Sequence, residues 1–254
     1  MDPESLNLRL SRISTVWEDL ARAELGSIHS KTAAQEQFMK RYHRAIYRYL
    51  LGALRDPDAA DEVFQEFALE FLRGGLRHAD PNRGKFRNFV KGVLIHLVSR
   101  YHKRQRARPE LPGSEIVDPA TPAEDSDKLD REFTENWRCE LLAHTWSALS
   151  AIEQETGQPF HSVLRFRSEH PKMPSSEMAE QLTGLLKPTT AFTDTGIRKL
   201  LQRAREKFAD LLLDEVAQSL ENPNIDDLEQ ELIDLGLLVY CQPSLARRRS
   251  LPKS

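Results

Sequence analysis

Between Phe86 and Tyr101 the residues Phe86, Phe89, Val90, Val93, Leu94, Leu97, Val98 and Tyr101 recur at steps of three and four. Only a helix gathers that spacing onto one face, because a strand sends successive side chains to opposite sides. The same spacing appears upstream in residues 34–54, as Phe38, Tyr42, Ile46, Tyr49, Leu50 and Ala53. It returns after the break at Arg55-Asp56-Pro57-Asp58, as Ala60, Val63, Phe64, Phe67 and Phe71, with Asp58 the expected N-cap and Gly74-Gly75 the expected stop. Three amphipathic helices of this kind bury their stripes against one another as a small bundle. Glycine is scarce, at 11 of 254 residues, and Leu, Ala, Glu and Arg dominate, which favours helices over strands. The expected fold class is all-α, with two small helical domains.

The formal net charge is only −3 although charged residues reach 30%, so any nucleic-acid surface must come from segregated charge. The segregation is pronounced. From Arg83 to Arg108 there is no acidic residue, while Arg83, Lys85, Arg87, Lys91, Arg100, Lys103, Arg104, Arg106 and Arg108 are basic. Aromatic residues interleave with these cations, the combination that single-stranded nucleic acid binding needs: charge for phosphates and flat faces for unpaired bases. Residues 109–135 then invert the sign, with Pro112, Pro119 and Pro122 among nine acidic residues. That composition predicts a flexible acidic linker, whose charge would let it fold over the basic segment and compete with nucleic acid.

Helical spacing resumes at Leu141, Leu142, Thr145, Leu149 and Ile152, stops at Gly157-Gln158-Pro159, and restarts through Phe160, Val163 and Leu164. A short helix over Ser175 to Leu182 follows. Thr193-Asp194-Thr195 then offers N-caps to a long helix whose inner face is Ile197, Leu200, Leu201, Ala204, Phe208, Leu211 and Leu212. The pair is arranged as a helix-turn-helix. Its second member carries Thr195, Arg198, Lys199, Gln202, Arg203 and Arg205 towards its N-terminal end, where a recognition helix meets base edges and phosphates. One further acidic helix is expected from Ile225 to Leu238, ahead of a basic tail at Arg247, Arg248 and Arg249.

Nothing in the chain announces catalysis. There is no phosphate-binding glycine loop, HExxH or GxSxG motif, and the chain is read as a non-enzyme without cofactor. Cys139 and Cys241 fit no metal-ligand or disulfide pattern, and His96 and His102, six residues apart, do not share a helix face, so no metal site is expected. With no signal peptide and no long apolar run, a cytoplasmic protein without a membrane partner is expected. The second helix opposes its aromatic stripe with Asp61, Glu62, Gln65 and Glu66, an acidic and amide face suited to a docking partner.

In order, these pieces resemble the extracytoplasmic-function group of bacterial sigma factors, which keep sigma regions 2 and 4 joined by a linker. The resemblance to region 2 rests on Tyr42 through Tyr49, then Asp56 through Phe67 with its Ala60-Asp61 and Gln65-Glu66-Phe67 elements, then Asp80 through Arg87. It implies an alternative sigma factor that binds core RNA polymerase and directs initiation at particular promoters. Asp61, Glu62, Gln65 and Glu66 would dock on the clamp helices of the polymerase β′ subunit. Arg83, Lys85, Arg87, Lys91, Lys103 and Arg104 would hold the melted minus-10 element. In region 4, which would also meet the β flap, Arg198, Gln202-Arg203-Ala204-Arg205 and Phe208 resemble the recognition helix for the minus-35 element. His96 and Arg100 depart from the family, standing where relatives commonly have Asn and Asp, and the segment Thr183 to Asp194 replaces a tight turn. The expected organisation is an N-terminal extension over 1–33, region 2 over 34–108, the linker over 109–135, region 4 over 136–218 and a C-terminal extension over 219–254. An anti-sigma factor, a kinase or that extension acting in cis are open as controllers. A stand-alone helix-turn-helix regulator or RNA-binding adaptor is the alternative, and it would have no use for the Asp61/Gln65 face.

Overall fold

A computed structural model describes residues 29–72, 86–107, 123–220 and 223–250. These described residues form nine helices and no strand. The chain divides into two compact units, Met1–Glu140 and Leu141–Ser254.

In the first unit, α1 (His29–Leu54), α2 (Pro57–Leu72) and α3 (Phe86–Arg106) pack as the bundle that their apolar stripes require. Tyr42, Ile46, Tyr49, Leu50, Ala60, Val63, Phe64, Phe67, Phe71, Val90, Leu94 and Leu97 are all buried. The corner between α1 and α2 is made by Arg55, whose φ of 54° turns the chain through the left-handed region. The cap is not Asp58 but Asp56, whose carboxylate accepts from the N–H groups of Asp58 at 2.9 Å and Ala59 at 3.4 Å. Pro57 fits between them because the first helical position needs no N–H donor. The expected stop at Gly74-Gly75 lies outside the described residues.

The acidic stretch departs from the expected linker. From Ala123 onward it is helix, the start of α4 (Ala123–Thr156). Phe133 and Trp137 on this helix are 1% and 0% exposed. Trp137 stacks on Tyr42 with ring centres 3.8 Å apart, and Phe133 meets Tyr49 edge to face at 5.4 Å. A Cβ placed on Gly52 of α1 would come within 2.8 Å of Leu129 Cδ2, so glycine permits the close approach. The physical reason is the spacing of Leu129, Phe133 and Trp137, a single apolar stripe at steps of four. Burying two aromatic side chains contributes roughly 3–6 kcal/mol, enough to make a helix of sequence whose acids and prolines alone suggest a tether.

The second unit contains the rest of α4 with α5 (Phe160–Glu169), α6 (Ser175–Leu186), α7 (Asp194–Gln218), α8 (Ile225–Asp234) and α9 (Leu238–Ser250). Val163, Phe166, Met178, Ala179, Leu182, Ile197 and Leu201 form the core that joins α5, α6 and α7. A second cluster of Leu149, Phe160 and Ala204 ties α4 to the same helices, with Trp146 and Phe208 at its edge. α6 runs a turn further than expected and ends at Lys187 in the left-handed conformation. Thr193 caps α7 as its position predicts, its hydroxyl accepting from the Gly196 N–H at 3.0 Å.

The C-terminal region is two helices rather than one helix and a tail. Gly236, with φ 66°, breaks the acidic helix, and Arg247, Arg248 and Arg249 belong to α9. Arg247 pairs with Asp210 at 3.0 Å and Arg248 with Asp214 at 2.6 Å, both on α7, while Arg249 pairs with Asp226 and Glu229 of α8, each at 2.8 Å. Cys241 and Leu245 are buried on the same helix. Alternating signs on α7, α8 and α9 thus draw the basic residues onto the unit.

Candidate functional site

α2 presents two faces because its stripe of Val63, Phe64, Phe67 and Phe71 is buried. On the other side Glu62 and Gln65 are exposed, whereas Asp61 and Glu66 are half-buried. Asp61 is committed to the bundle, since its carboxylate accepts from the hydroxyl of fully buried Tyr47 at 2.5 Å. Glu66 is committed to α3. It accepts from both terminal nitrogens of Arg104, at 3.1 and 3.0 Å, and from Arg100. Arg100 also donates to Glu70 at 2.6 Å, and Arg104 reaches Glu62 at 3.4 Å. Burial works against ionisation of Glu66, but the hydrogen bonds and charges of Arg104 and Arg100 outweigh it and hold the carboxyl below its ordinary range.

Glu62, Glu66 and Glu70 follow at steps of four on one helix, and Arg100 and Arg104 at a step of four on its neighbour. The result is a ladder of opposite charges between α2 and α3. Reading the two helices separately assigns these acids to one partner and Arg104 to another. The matched spacing was the signal that they meet.

The basic segment divides into committed and outward groups. Arg83 and Lys85 lie outside the described residues. Arg87 is only 6% exposed and donates to Thr134 of α4 at 2.9 Å, while Lys91 pairs with Asp130 of α4 at 2.8 Å. The acidic sequence therefore does reach the basic segment, but as a packed helix with a buried aromatic anchor. A guanidinium as enclosed as that of Arg87 has little surface to offer a phosphate. Outward on α3 stand Asn88, Gly92, Ile95, His96, Ser99, Lys103 and Arg106, all exposed and spaced at three and four. This stripe is a row of small and polar groups, with Ile95 48% exposed and a cationic end at Lys103 and Arg106. Sequence periodicity could have found it as the complement of the buried stripe. Beside it, His102 is held below the usual histidine value, first by burial and then by the charge of Arg106.

In the second unit Thr195, Arg198, Lys199 and Gln202 lie on one exposed face of α7, opposite buried Ile197, Leu201 and Ala204. Arg198 pairs with Asp194 at 2.6 Å while remaining 67% exposed, and Gln202 donates to Glu206 at 3.1 Å. The guanidinium of Arg203 lies over the Phe160 ring, 5.3 Å from its centre, and Arg205 is exposed. Among the described residues no group of His, Cys, Asp and Glu is placed to hold a metal ion, and no helix is long and apolar enough to cross a membrane.

These features define a helical protein whose first unit joins an acidic face to an outward polar and basic helix. Residues 38–108, which span α2, α3 and most of α1, match the family model of sigma-70 region 2. That match covers less than a third of the chain and is a likeness to this one domain of sigma-70 factors. Neither the curated proteins nor the solved structures yielded a match.

Proposed function

We propose that this chain is an alternative sigma factor of the extracytoplasmic-function type, which binds core RNA polymerase and directs it to particular promoters without itself making or breaking bonds. The observation that carries the proposal is the exposed Glu62/Gln65 face of α2, within the segment matched to sigma-70 region 2 and one helix away from the outward stripe of α3. The acidic face docks on the clamp helices of the polymerase β′ subunit. Asp61 supports this face from beneath through Tyr47 rather than projecting freely from it.

The α3 stripe receives the melted minus-10 strand. Extruding a base costs a few kcal/mol, and contact with the Ile95 and His96 side chains, together with phosphate contacts from Lys103 and Arg106, offsets that cost. α7 acts as the region 4 recognition helix, with Arg198, Lys199, Gln202 and Arg205 against duplex DNA and α6 behind it, meeting the β flap. In the first unit, the α4 contacts of Arg87 and Lys91 give these two residues the task of holding the bundle rather than DNA.

Transcription by core polymerase from fragmented genomic DNA tests the proposal. Addition of the protein should produce discrete start sites, and Arg198→Ala/Lys199→Ala should lower their yield by about tenfold, as expected for lost groove and phosphate contacts. Transcripts whose start sites do not depend on the added protein would refute it.

A further inference from the structure

The pairing of Glu62, Glu66 and Glu70 with Arg100 and Arg104 puts two prospective binding surfaces in contact with each other. These groups are all reached by water: the side chains of Glu62, Glu66 and Glu70 are 53%, 25% and 40% exposed, those of Arg100 and Arg104 36% and 42%. Ion pairs this accessible contribute little to folding, because water solvates the separated charges almost as well. The bundle around them is closed chiefly by apolar burial, in Val63, Phe67, Leu94 and Leu97. Such pairs can be exchanged. A guanidinium that leaves a carboxylate for a phosphate keeps its charge compensated, and an acid left behind is compensated by a cation from elsewhere.

We propose that the α2 carboxylates hold Arg100 and Arg104 in reserve, and that a protein partner presenting cationic side chains to Glu62, Glu66 and Glu70 releases both arginines to nucleic-acid phosphates. The ladder then couples partner docking to DNA binding within one unit. The inference rests on the reading of α2 as a docking face and α3 as a nucleic-acid surface, and adds the exchange that links them. Arg104 is suited to the change, since its guanidinium also lies 5.9 Å from the Tyr101 ring centre and leaves the acids without leaving that aromatic face. Reciprocity follows: whatever the partner gains for DNA, DNA gains for the partner.

The test uses the full chain and a labelled oligodeoxythymidine, whose phosphates report released cations without requiring a promoter sequence. Glu62→Gln/Glu66→Gln/Glu70→Gln mimics the partner by neutralising all three acids of the ladder. Its affinity should rise by about three- to tenfold over wild type, the scale of a broken exposed ion-pair network. Its salt dependence should steepen by about 1.4, for two additional phosphate contacts on a single strand. In the background of Arg100→Gln/Arg104→Gln the same acid substitutions should bring no gain, with far-UV circular dichroism checking that each variant stays helical. A gain that persists there would reflect lost overall negative charge and would overturn the exchange. Equal binding by wild type and the acid variant would overturn the exchange while leaving α3 as a nucleic-acid surface. Failure of every variant to bind at low salt would overturn that surface as well.

Discussion

Trp137 closes the first unit, and its neighbours show how one side chain can decide the state of a segment. It is fully buried, stacked on Tyr42 and tilted against Phe133 at 5.8 Å. Trp137→Ala should cost about 3–5 kcal/mol of unfolding free energy, from lost transfer energy and the cavity left behind. The shift in the urea midpoint of the aromatic circular dichroism reads this directly, and a variant within 1 kcal/mol of wild type, on the order of a surface substitution, would detach α4 from the core. The two thiols make a second contrast. Burial pushes the Cys241 thiol up to about 12, whereas Cys139 is exposed, its thiol raised first by burial and then by Glu135. Iodoacetamide should therefore label Cys139 slowly in the native protein and Cys241 only after unfolding. Equal labelling of both in native buffer would contradict the packing of α9. In the sequence, Trp137 was visible but lay outside the region assigned to the first domain, because a long acidic run carries more compositional weight than three apolar residues.

At the scale of elements, hydrophobic periodicity made α1, α2, α3 and α7 legible, and their inner faces are buried largely as the spacing requires. Charge was harder to read, because a sequence shows which groups are present and not which neighbour neutralises them. Arg104 and Arg87 were both expected to meet DNA; Arg104 pairs with Glu66, and Arg87 is enclosed against α4. The α2–α3 ladder has a pH signature. The folded chain holds Glu66 below its ordinary value of 4.5, so folding disfavours its protonation. Its contribution to stability is fully present above that value and is lost as pH falls through the lower, folded one. Unfolding measured at a series of pH values should show wild type losing stability more steeply than Glu66→Gln as pH falls below 4.5. Parallel curves would mean that the two arginines do not hold the carboxyl.

The whole molecule pairs two units with separate cores, each carrying outward basic residues on one helix. Chain length predicted two small helical domains, and the chain divides into two helical units, though after Glu140 within α4 rather than across a linker. What remained hidden was the role of the last helices. Their arginines read as a basic tail, yet they answer acids on α7 and α8 that lie far away in sequence. Replacing Arg247 and Arg248 together by Ala should loosen α9 from α7, increasing amide exchange in α9 while α5 and α6 stay protected. Unchanged exchange in α9 would mean that its apolar side alone, with Cys241 and Leu245, holds it.

In the proposed function the first unit carries this chain to RNA polymerase through α2. Its most direct test is retention of bacterial core polymerase by the tagged full-length protein, compared with Glu62→Ala/Gln65→Ala. Those two residues are chosen because both are exposed, whereas Asp61 supports Tyr47 and would confound folding with docking. The β and β′ subunits should be retained by wild type and lost by the variant, with both proteins equally helical. A wild-type protein that binds DNA but never retains polymerase would contradict it and favour a regulator that acts alone.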